Sequence, residues 1–167
     1  MMTPNAMANY IIGQIQGLND PAAANSTLAN AIASYVMSNA QVFYSWSAVS
    51  PPPASTPDPT VLITATVTGS LTLTPSGANT PEAANLSFSN TLNAGFSTWT
   101  VVWPPGFALS PALLVPTISI TPSGCTDMNG AWLAVCGQII AGIKAATPAA
   151  TGSHGAYVGS ASFTQIL

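Results

Sequence analysis

Charge is what this chain has least of. Only 3% of its 167 residues are charged, against roughly 25% in a typical soluble domain. There is one lysine, Lys144, no arginine, and one histidine, His154. The acids are Asp20, Asp58, Glu82 and Asp127. Binding nucleic acid needs Lys and Arg to displace counterions from phosphate, and one lysine cannot supply that. An anionic membrane surface is excluded as a partner on the same ground. A surface made of Ser, Thr, Asn, Gln, Gly, Ala and Pro also lacks the repulsion that keeps monomers apart. The composition therefore points to a neutral surface that is covered in a permanent assembly.

Long apolar runs are missing as well. No segment reaches the roughly 18 to 20 apolar residues of a membrane-spanning helix. The stretch "AWLAVCGQIIAGIKAA" comes closest, but it is short and carries Gly, Gln and Lys. The opening "MMTPNAMANY" has neither the basic start nor the apolar run of a secretory signal. A chain made and kept in a cytoplasm, or packed into a particle there, is expected. Cys125 and Cys136 match no zinc or redox spacing. They are read as two buried free thiols, with a bridge between turn and helix as the alternative.

Catalytic groups are equally sparse. His154 in "TGSHGAY" is the only imidazole, and a catalytic His needs a nucleophile or an orienting carboxylate beside it. The four acids lie far from it in sequence and read as having other work. Asp20 and Asp127 fit helix N-caps, Glu82 fits a first helical turn, and Asp58 falls among prolines. Asp58 with Asp127 is the one carboxylate pair that a hydrolase reading would use, and no motif supports it. One His, two Cys and scattered acids give no metal-ligand spacing. No catalytic, cofactor or metal site is expected, nor a small-molecule substrate.

Helix starts, in contrast, are well marked. Thr3, Asp20 and Thr80 are each followed by proline, a capping residue before a residue tolerated at the first helical position. A first helix is expected over about 4–18, with Met7, Ile11, Ile12 and Ile15 on one side. A second is expected over about 21–40, with Leu28, Ile32, Tyr35 and Val36 in helical spacing. The two should form a hairpin. "QVFYSWSAV" follows as an extended exit or final turn. "SPPPASTPDPT" holds five prolines between Ser50 and Thr60, which excludes helix and central strand and suggests a stiff linker.

"TVLITATVTGSLTLTPSG" alternates apolar residues with threonine. It predicts strands over about 60–68 and 71–74 joined by a Gly69-Ser70 turn. Leu71–Phe96 and Ile118–Ile143 then repeat at an offset of 47 residues, centred on a shared "TPSG". Leu86, Phe88, Leu92 and Phe96 match Leu133, Val135, Ile139 and Ile143. "TPSG" lacks the Lys and Gly-rich spacing of a phosphate loop, so it reads as a joint between strand and helix. Val101–Trp103 suggests a strand and Pro104-Pro105-Gly106 a turn. A loop and then a C-terminal strand over 155–166 close the chain. That strand, rich in small side chains, is expected to pair with a neighbouring subunit's edge.

The fold class expected is α+β: an N-terminal helical hairpin (1–49), a proline-rich linker (50–60), and a body (61–167). The body holds a Thr-rich antiparallel β region, two strand-turn-helix units and the C-terminal strand. The stretches "NAMANYIIGQI", "LANAIASYVMSNAQV", "LAVCGQIIAGIKAA" and "TGSHGAYVGSASF" together resemble small virion structural proteins of tailed bacteriophages. The resemblance implies a non-enzymatic part of a virion in symmetric copies, in contact with itself and other virion proteins. Its place would be the tail, neck or baseplate, or a capsid decoration. An alternative is an extracellular adhesin or sugar-binding module that stacks glycans on Trp46, Trp99, Trp103, Trp132, Tyr44 or Tyr157. The sequons at Asn25 and Asn85 fall inside expected helices and are discounted.

Overall fold

The capping residues act as the sequence suggests. In the computed structural model, which describes residues 1–74 and 76–167, Thr3 accepts from the Ala6 amide and Asp20 from those of Ala22 and Ala23. They open α1 (Pro4–Ile15) and α2 (Pro21–Asn39). Thr80 and Asp127 do the same for α3 (Pro81–Phe96) and α4 (Met128–Lys144). Tyr35 ties α2 to the start of α1: its hydroxyl donates to the Thr3 carbonyl and accepts from the Thr3 amide, both at 3.0 Å. α1 packs on α2 and on α4, with Met7, Ile11, Ile139 and Ile143 fully buried.

Among the described residues six strands make one antiparallel sheet: β1 (Val42–Val49), β2 (Leu62–Thr68), β3 (Thr100–Val102), β4 (Phe107–Leu109), β5 (Ala150–His154) and β6 (Tyr157–Ile166). Their order is β3-β2-β1-β6-β5-β4. The α+β class is therefore the observed one. β3 and β4 sit at opposite edges, yet only residues 103–106 join them. A flat sheet would hold these edges about 24 Å apart, whereas the chain from Val102 to Phe107 reaches at most about 18 Å. The sheet must curl. Tyr44 and Trp46 on the inner side of β1 accordingly meet both edges, Trp103 at 4.8 Å and Phe107 at 5.5 Å between ring centroids.

Four expectations need correction. The proline-rich stretch connects β1 to its sheet neighbour β2, folding back through bonds from Ser50 to Thr56 and from Asp58 N–H to the Ala48 carbonyl. A core cluster continuous from Met2 to Ile166 takes in elements on both sides of it. Gly69-Ser70 is no hairpin turn: the Trp99 indole lies where a Gly69 side chain would be and donates to the Ser70 carbonyl. The chain leaves the sheet there and crosses to the helices. The C-terminal strand β6 is interior, paired along one side with β1 and along the other with β5. Its backbone groups are spent within the chain, so it has no edge to offer a neighbour. Part of the expected C-terminal loop is β5 itself.

The fourth correction concerns the internal repeat. Its turn and helix halves correspond closely. Thr80 and Asp127, 47 residues apart, both cap a helix, and Gly77 and Gly124 both have positive φ, 60° and 68°. Leu92 and Ile139, and Phe96 and Ile143, are buried at matching positions. The strand halves are not ladder strands. Leu71 and Leu73, like Ile118 and Ile120, alternate buried with exposed neighbours, but side chains of the helices hold the second copy in place of a sheet. Asn93 clamps Ile118, accepting its N–H at 2.7 Å and donating to its carbonyl at 2.8 Å. Ser89 accepts from the Ile120 amide, and Gln138 brackets Thr121. Pro75, within the first "TPSG", lies outside the described residues.

Candidate functional site

The one histidine and the acid placed among prolines meet inside the curl of the sheet. Asp58 Oδ1 accepts from the Thr60 amide at 2.9 Å, the local turn that an Asp-Pro-Thr sequence favours. That turn points Oδ2 inward, where it accepts from Trp46 Nε1 and faces His154 Nδ1, each at 2.8 Å. The Asp58 side chain is 1% exposed and that of His154 31%. The imidazole stacks on Phe107, its β4 partner, with centroids 4.1 Å apart and planes within 6°.

Burial alone would push the Asp58 carboxyl up. The bonds from Thr60, His154 and Trp46, together with the charge of His154, outweigh burial and hold its pKa at about 2. An ionised carboxylate only accepts, so the Nδ1 of His154 that faces it carries a proton and donates. This is the His–carboxylate half of a catalytic arrangement. Among the described residues no side-chain hydroxyl or thiol bonds to Nε2, so the cluster as it stands fastens three elements: the proline-rich loop, β1 and β5. Sequence distance concealed it, since 96 residues separate the pair. The Asp-Pro-Thr turn was a usable signal for Asp58, and nothing comparable marks His154.

The other candidates scatter. Asp127 and Asp20 are spent as caps, and Glu82 stands in the first turn of α3. Among the described residues, no three His, Cys, Asp or Glu side chains gather as metal ligands. Cys136 is buried as expected, its thiol pushed up to about 12 by burial, but Cys125 is exposed. The two are free thiols. Trp46 and Trp99 are core residues, while Trp103 and Trp132 are partly buried. Among the described residues, no helix is long and apolar enough to cross a membrane.

Two surfaces stand out instead. One is a cleft of about 350 Å³ where the N-terminal halves of α2, α3 and α4 converge, walled by Leu28, Leu73, Phe88, Trp132 and Val135. The other is the outer face of the sheet. Its rows run Leu62–Ser45–Ser162, Thr151–Ser160–Ser47 and Ser153–Val158–Val49 across neighbouring strands. Thr64, Thr66 and Thr68 continue it on β2. None of the five charged residues lies on it, for Asp58 is inside the curl and the other four belong to helices. No protein-family model, no curated protein and no solved structure matches the chain.

Proposed function

We propose that the protein is a non-enzymatic structural subunit that is packed in symmetric copies, as a component of a phage virion. Its place there is the tail, neck or baseplate, with capsid decoration as the alternative. The observation that carries this reading is the outer sheet face. Val49 and Val158 are cross-strand partners there, 53% and 62% exposed, with Leu62 at 71% and Val102 at 44% on the same side. Apolar side chains set among hydroxyls, with no charge, suit a surface that is covered by a protein neighbour. Both sheet edges are three-residue strands, so association runs through the face and not by strand addition.

Sedimentation velocity over a concentration series tests this. Self-association is expected, and Val158→Lys is expected to abolish it while leaving the circular dichroism spectrum intact. A chain that stays monomeric throughout, or a variant that associates as well as the parent, counts against the proposal.

A further inference from the structure

The cleft at the helix starts is a second surface, remote in chemistry from the sheet face. Its walls are Leu28 from α2, Phe88 from α3, Trp132 and Val135 from α4, and Leu73 from the segment between. Its volume of about 350 Å³ falls within the range of binding clefts, roughly 300–1,000 Å³. Met128 stands at its rim, 58% exposed.

Three of the four acids stand at the starts of the helices that form it. Asp20 caps α2, Glu82 lies in the first turn of α3, and Asp127 caps α4 immediately before Met128. All three are exposed. Each helix start contributes about half a positive charge, so each carboxylate leaves a net negative terminus. No base offsets them. Lys144 closes the far end of α4, about 24 Å along the axis from Met128, and His154 is in the sheet.

We infer that this cleft is a docking site for a segment of another protein, one that presents an apolar side chain flanked by Lys or Arg. The apolar walls take the anchor, and the carboxylates at the three helix starts, which stand outside the lining itself, select the flanks. A second copy of this chain does not fit the description. Its only lysine follows Ile143, which is fully buried, and it has no arginine. The site is independent of the sheet face, so either can fail alone.

Calorimetric titration of the full chain tests the site with two synthetic probes. One is a short peptide of leucines flanked by lysines; the other has glutamines in place of the lysines. The basic probe is expected to bind about tenfold tighter than the neutral one, and to lose that advantage at high salt. Ala131→Leu fills the cleft from α4 and should weaken the basic probe about tenfold. Ala84→Leu repeats the block from α3 should the first variant not fold. Glu82→Gln combined with Asp127→Asn, which keeps a capping side chain, should weaken only the basic probe. Equal binding of the two probes, no binding of the basic one, or binding indifferent to both cleft-filling variants overturns the inference. So does self-association of the parent chain that Ala131→Leu removes, because the occupant is then a second copy.

Discussion

Asp58 and His154 are 96 residues apart in the chain and 2.8 Å apart in the fold. The carboxylate is nearly inaccessible, and its pKa of about 2 lies below the ordinary 3.8. A depressed folded pKa means that the ionised form stabilises the fold. That contribution is complete above pH 4 or so and is lost as pH falls from 3.8 towards 2. Urea unfolding at successive pH values should show stability dropping across this window. Asp58→Asn should be less stable at pH 7, and its stability should depend less on pH within the window. An unchanged acid profile in the variant would show that other carboxylates carry the effect.

The paired glycines of the repeat make an asymmetric prediction. A side chain at Gly95 would meet the tip of Leu71 at 2.6 Å, and one at Gly142 would meet Ile118 Cα at 2.6 Å and its backbone N at 2.8 Å. The contacts are equivalent in position but not in give. Leu71 can turn its tip aside, while backbone cannot move without shifting the extended segment. Alanine also gains about 1 kcal/mol over glycine inside a helix. Gly95→Ala should therefore change stability little. Gly142→Ala should cost about 1–3 kcal/mol from overpacking. Chemical denaturation of the two variants side by side decides it, and equal effects would refute the difference in packing.

Helices were legible in the sequence because their signals are local. A cap, a proline and an apolar stripe sit within a few residues of each other, and all four starts were found at Thr3, Asp20, Thr80 and Asp127. The sheet was less legible because its pairing is not local. Alternation placed Ile63, Ala65 and Val67 on one buried face correctly, but alternation does not name a partner. The nearest stretch, Leu71–Thr74, looked like one, and the actual partners of β2 are β1 and β3. Trp99 decided that by occupying the space at Gly69. The same limit hides the Asp58–His154 pair, because the sequence neighbours of either residue say nothing of the other. The cleft is half visible in the sequence: Leu28, Phe88 and Val135 mark helix faces, but no local signal shows that those faces stop short of full contact.

Asn93 offers a direct test of how the second extended segment is held. Its amide serves both the N–H and the carbonyl of Ile118, doing for that residue what a neighbouring strand would do. Asn93→Ala leaves both backbone groups without that partner, in a segment where Ile118 is 3% exposed. A cost of about 2–3 kcal/mol is expected. Hydrogen exchange gives the more specific readout. Protection of the Ile118 amide should fall well below that of Ile120, whose partner is Ser89. Loss of both together would mean that the segment detaches as a unit.

The cysteines separate by environment and should separate by chemistry. Cys125 is exposed in the turn ahead of α4, while Cys136 is buried on that helix with its thiol at about 12. The thiolate is the reactive form, and at pH 8 a thiol titrating near 12 has about one part in ten thousand ionised. Burial also bars the reagent. A disulfide-exchange thiol reagent at pH 8 should modify one cysteine per folded chain, and mapping should place it at Cys125. The second should react only on unfolding, with a rate that follows denaturant as global stability does. Slow labelling of Cys136 well below the unfolding transition would show instead that α4 opens locally, exposing the face it packs against α1.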